Sequence, residues 1–227
     1  MPVRKRIHTT ATDKFSSHNN QKLNHARRII AAEAARIMAT QAQPNYRIAK
    51  QKAAQRLGIN IRMALPSNVE VESALRAYQD FYGGQQHISH LQKLREVALR
   101  VMRSLESFCP RLVGPVLEGT ADQHARVSLH VFNDPPDAVA IHLLNRGLVY
   151  RDEQRKMRWH DGNYRQVPLL VTNADGITVE LALFNSVDLR QAPLSPIDGR
   201  PQKRAPLTEV EYLLSGIKKP QRDSRGI

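Results

Sequence analysis

Two short stretches hold the side chains able to do chemistry. In residues 126–132, Arg-Val-Ser-Leu-His-Val-Phe, strict alternation points Val127, Leu129 and Val131 one way and Arg126, Ser128 and His130 the other. In residues 177–184, Ile-Thr-Val-Glu-Leu-Ala-Leu-Phe, the odd positions are again apolar and Glu180 stands on the even face. One chemistry open to these residues is metal binding. His124, His130 and Glu180, or Asp122 in their company, would hold one ion, and imidazole donors favour manganese or zinc over magnesium. Arg126 and Ser128 point elsewhere. Arginine cannot ligate a divalent cation and serine is a poor substitute for an anionic oxygen, whereas a guanidinium is well suited to phosphate. His87 and His90 lie one turn apart near the start of a helical stretch, with no carboxylate or cysteine beside them to complete a ligand set.

The segment ahead of the first strand, residues 111–121, has an apolar entry (Leu112, Val113), a turn at Gly114-Pro115 and a second small-residue turn at Gly119-Thr120-Ala121. The order of strand, glycine turn, short helix, strand and later acid-bearing strand resembles the nucleotidyltransferase superfamily, the polymerase-beta-like fold, over residues 111–185. On that register Gly114-Pro115 stands where Gly-Ser would. Arg126 and Ser128 stand where two metal-holding aspartates would, and Glu180 takes the place of the third carboxylate. The resemblance implies a mixed sheet flanked by helices and, in an active member, magnesium or manganese with a nucleoside triphosphate. Here it implies an inherited scaffold whose two-metal engine is absent, since a pair of carboxylates two residues apart is what bridges the triphosphate. Pro115 also lacks the hydroxyl and the N–H that would cradle phosphate. The layout of the whole chain resembles, too, a family of bacterial proteins without an assigned activity, which implies a cytoplasmic setting.

Charge sets the expectation for a partner. Lys and Arg number 34 against 21 Asp and Glu, a net +13 over 227 residues. The excess is uneven: 12 basic and 2 acidic residues in 1–60, 15 and 16 in 61–199, 7 and 3 in 200–227. A neutral middle with basic ends is the footprint of a polyanion, RNA or another nucleic acid before a membrane surface. The cationic candidates are Arg27, Arg28, Arg47, Lys50, Lys52 and Arg56 at the front, Arg126 on the strand, and Arg200, Lys203 and Arg204 further on. Cys109, the single cysteine, cannot form an internal disulfide, which fits a reducing compartment. No apolar run reaches the length of a membrane span, and the start lacks the apolar core of a signal peptide.

Elements that would position these residues divide into four parts. Residues 1–22, polar and basic without periodicity, read as a disordered tail. Residues 23–108 read as helices. The first starts at Asn24; the second, after Pro44-Asn45, turns Tyr46, Ala49, Ala53 and Leu57 inward and its cations outward, and ends at Gly58. Ser67 and Glu70 form a capping box for a third, which buries Val71, Leu75, Tyr78 and Tyr82 and stops at Gly83-Gly84. A fourth, 88–108, carries a near-heptad apolar stripe that would dock on the sheet or on a partner protein.

Residues 109–189 form the sheet domain. A helix runs from the Asp134-Pro135-Pro136-Asp137 start to Asn145, and short strands follow at 148–151, 157–160 and 167–172, with turns at Asp161-Gly162 and Asp175-Gly176. Trp159 and Tyr164 flank the first turn, placed to pack the hairpin or to stack on a base. Residues 190–227 read as a proline-rich strap and a last helix, with Thr208 and Glu211 as a second capping box. The strap either connects or folds over the polar sheet face as a phosphate clamp. The expected class is α+β, a helical N-terminal region followed by a nucleotidyltransferase-like mixed sheet flanked by helices. Its expected role is binding of RNA or a nucleotide by a pseudoenzyme, with an active transferase or a protein-interaction module as alternatives.

Overall fold

The computed structural model describes residues 11–41, 43–60 and 64–215, with side chains from residue 20. The chain is α+β, helices leading into a five-stranded mixed sheet, and it divides into a helical unit up to Tyr78 and a sheet unit from Gln79. The division falls inside the expected helical region, and the strap and last helix belong with the sheet.

In the helical unit, α1 (Ala11–Gln41) packs against α2 (Tyr46–Leu57) and α3 (Asn68–Tyr78). Of the expected tail, residues 1–10 lie outside the described residues and 11–22 are helical. Small side chains let the helices approach closely: Ala31, Ala34, Ala35, Ala49, Ala53 and Ala54 are buried with Ile30, Ile37, Val71 and Leu75. Asn45 caps α2 through the Ile48 N–H, Gly58 ends it in the left-handed region, and the Ser67–Glu70 box closes as the spacing predicts.

Two assignments on α2 are corrected. Leu57 lies outward, while Lys50 is buried, its ammonium donating to the Pro66 carbonyl at 3.0 Å and Asn68 Oδ1 at 2.8 Å. A lysine is tolerated inside because two of its three donors find acceptors there. Burial pulls its pKa below the usual lysine value, with the Glu70 charge opposing.

The third and fourth helices do not part at a stop. After Tyr78 the chain makes a π-helical turn, Gln79–Gly83, and α4 begins at Gly84 and runs to Ser104. A π turn holds an extra residue, so positions beyond it rotate off the face that helical spacing assigns them. Tyr82, expected inside, is 69% exposed, Ile88 is exposed, and Tyr78 is half-buried. Further along, α4 regains its stripe and buries Leu94, Val97, Ala98 and Met102.

The sheet runs in the order β1-β2-β5-β4-β3, from β1 (Arg111–Val113), β2 (Val127–Phe132), β3 (Tyr150–Arg158), β4 (Tyr164–Ala174) and β5 (Ile177–Phe184). β2 and β5 are parallel and the other neighbours antiparallel. Between β1 and β2 lies α5 (Pro115–Glu118); α6 (Ala138–Asn145) follows β2, and α7 (Leu207–Ser215) ends the described chain. β3 is one nine-residue strand where two short ones were expected. As an edge strand it is solvated on most of its length, and its run of charges hides the alternation a half-buried strand would show. Glu211 does not close a box with Thr208; it pairs with Arg103 at 2.8 Å.

One sheet face is covered by helices. Val127, Leu129, Val131, Val179, Leu181 and Leu183 meet α4, α6 and α7 through Leu94, Ala98, Val139, Leu143 and Val210. The opposite face holds a second core of Phe132, Trp159, Val167, Leu169, Val171, Ala182 and Phe184, which continues into a polar end at Ser128 and Glu180. No helix among the described residues is long and apolar enough to cross a membrane.

Candidate functional site

Alternation on β2 and β5 and their parallel register place Ser128 beside Glu180 on the face away from the helices. Arg126 sits just before β2, two residues from Ser128, so all three converge. Arg126 Nη1 donates to Glu180 Oε1 at 3.0 Å, and Ser128 Oγ to Oε2 at 3.1 Å. A fourth residue, outside the sequence expectation, completes the group: Arg155 Nη2, from β3, donates to Oε2 at 2.8 Å. The Glu180 side chain is 5% exposed, those of Arg126 and Arg155 51% and 42%. One buried carboxylate thus meets two guanidinium groups and a hydroxyl, and the cluster carries one net positive charge facing solvent.

The glycine turn is built as the spacing predicts. Gly114 has φ +72° and ψ −156°, a conformation that excludes side chains, and it swings the chain from β1 into α5. Thr120 is buried, and Gly119 closes α5 with φ +84°. Side chains of the Gln79–Ser104 stretch then fix this segment by its carbonyls. Arg95 donates to Val116 at 3.2 Å, His87 to Gly119 at 3.2 Å, Gln79 to Thr120 at 3.0 Å and His90 to Asp122 at 3.1 Å. Since each carbonyl can only accept, both imidazoles donate from Nε2. That is the role of His87 and His90.

His130 is 2% exposed, and its Nδ1 accepts from Arg204 Nε at 3.0 Å, which leaves its proton on Nε2. Burial first, then the positive charges of Arg204 and Arg155, pull its pKa down to about 3. Arg204 itself lies over the rings of Phe132 and Phe184, at 4.9 and 5.2 Å, and donates to the Asp188 carbonyl at 2.7 Å. Its pKa falls to about 10, chiefly by burial, so it stays charged at neutral pH. The strap therefore does fold over the open face, held also by Leu194 N–H to Arg158 and by paired Leu112–Ala205 bonds of 2.9 Å. Arg204 serves it as a clasp. Lys203 lies 3.5 Å from Glu118, and Arg200 is exposed.

His130 gives the fold a pH dependence. In the unfolded chain it takes up a proton below about pH 6.5, and in the fold it does not until near pH 3, so stability is complete above the first value and is lost as pH falls. The expected loss between pH 8 and pH 5 is about 2 kcal/mol. Thermal unfolding of wild type and His130→Gln across that range checks it. Parallel profiles would remove the assignment.

The metal candidates are not brought together. His130 turns its Nδ1 to a guanidinium, Glu180 is engaged by three donors, and exposed His124 contacts Gln123. Among the described residues no three His, Cys, Asp or Glu side chains gather as a ligand group. Of the front cations, Arg27, Arg28, Arg47 and Lys52 are exposed, Arg56 shares Glu33 with Arg36, and Lys50 is buried. A scan of protein-family models and searches of curated proteins and of solved structures found no match to this chain.

Proposed function

We propose that this is a catalytically degenerate, nucleotidyltransferase-like protein that binds RNA or a nucleotide through basic surfaces. The observation that supports this reading best is the Glu180 cluster. Where the resemblance calls for two aspartates and a third carboxylate around divalent ions, a single carboxylate is shared between Arg126 and Arg155. A cation brought there would meet two guanidinium charges and one already engaged anion, whereas a phosphate would meet half-exposed arginine donors. The exposed arginines and lysine of the helical unit supply a further, sequence-independent attraction for a phosphate backbone.

A transfer assay tests the catalytic half: each labelled nucleoside triphosphate, with magnesium or manganese and RNA as acceptor. No labelled product is expected. Product that disappears in Glu180→Gln as well as in Glu180→Ala, with both variants still folded by circular dichroism at the assay temperature, would make the protein an active transferase with an atypical site.

A further inference from the structure

Trp159 and Tyr164, which flank one turn, have different fates. Trp159 is buried against Phe184 with the Arg165 guanidinium over its ring at 4.7 Å. Tyr164 is 60% exposed. The difference follows from the pleat. Met157 and Val167 face the Trp159 core, so Gln154, Lys156 and Arg158 on β3 and Tyr164, Gln166 and Pro168 on β4 stand on the reverse of the hairpin. At the far end of that reverse face, Tyr150 and Leu170 join the helix-side core. Beyond them the six residues are all exposed.

These six make a coherent surface. Arg158 is directly opposite Tyr164 and Lys156 opposite Gln166, and the Lys156 ammonium lies 4.8 Å from the Tyr164 ring centroid. The one carboxylate on this face of β3 is exposed Asp152, opposite Leu170 at its inner end, two residues from Gln154 and away from the Tyr164 end. Asp161 at the turn is engaged by Arg165 at 3.2 Å and by the Asn163 N–H. An aromatic ring with two cations and two amides on one exposed strand face matches single-stranded nucleic acid: a π-face for a base, charges for adjacent phosphates, and amides for a base edge. A duplex hides its base faces and offers only phosphates to such a surface.

We propose that the exposed face of the β3–β4 hairpin is a stacking platform for single-stranded RNA, with Tyr164 under a base and Lys156 and Arg158 on flanking phosphates. The proposal rests on the RNA-binding reading and names the part that discriminates strands. Lys156 is already over the ring, in an exposed cation–π contact weaker than base stacking, so its ammonium can move to a phosphate as a base arrives.

The test is fluorescence anisotropy with the full chain, a labelled single-stranded 12-mer and the same sequence as a duplex. Wild type, Tyr164→Ala and Tyr164→Phe are compared, with circular dichroism to confirm equal folding. Tyr164→Ala is expected to lose about tenfold in affinity for the single strand and to keep its duplex affinity, while Tyr164→Phe stays near wild type. Unchanged single-strand binding by Tyr164→Ala, or an equal loss on both forms, would overturn the platform and leave RNA binding standing. Absence of RNA binding by wild type would overturn both.

Discussion

Glu180→Ala is expected to lower the stability of the sheet unit by about 3 kcal/mol, because removing one partner leaves the charges of Arg126 and Arg155 together without an anion. The value belongs at the lower end for broken buried pairs, since both guanidinium groups are half exposed and water screens part of their repulsion. Ser128 loses its acceptor as well. For a unit of this size the thermal midpoint should fall by about 6–12 °C. Glu180→Gln keeps an acceptor for the hydroxyl and should fall about half as far. A Glu180→Ala midpoint within about 2 °C of wild type would mean that the cluster does not hold β2, β3 and β5 together.

The second large effect is on binding. Reversing Arg27, Arg28, Arg47 and Lys52 to glutamate should weaken RNA binding on the order of a hundredfold at 0.1 M salt, since a phosphate that is no longer neutralised by the protein keeps its condensed counterions. All four side chains are exposed, so the fold should be little affected. Reversal at Arg36 and Arg56 should do less per reversed charge, because both already answer Glu33. Titrations of labelled RNA with each variant measure the difference. Equal losses per reversed charge from the two sets would show that charge placement on the helices is immaterial.

Much of the cluster was legible because a strand has a period of two. Alternation in 126–132 and 177–184 put Arg126, Ser128 and Glu180 on even faces, and parallel pairing of the two strands made them neighbours. Arg155 was not legible. Its strand lies at the sheet edge, where charges occupy both faces and no apolar alternation marks it. The strap's composition suited a clamp or a connector equally; only the buried His130 Nδ1 shows why Arg204 lies where it does.

In the helices, capping signals at Asn45, Gly58 and Ser67 were reliable because each meets a local backbone demand. Helical spacing misplaced Tyr82 because it lies within a π turn, and charge alone misplaced Lys50, whose ammonium finds two acceptors inside. Residues 11–22 lack an apolar stripe, so nothing in their pattern announced the start of α1.

The most direct measurement is the affinity of the full chain for labelled RNA across a series of salt concentrations. The expected result is a linear fall of log affinity against log salt, with a slope near −3 or steeper for single strands, corresponding to about four or more phosphate contacts. Undetectable binding at the lowest salt, or an affinity that does not change across the series, would contradict a polyanion-binding role.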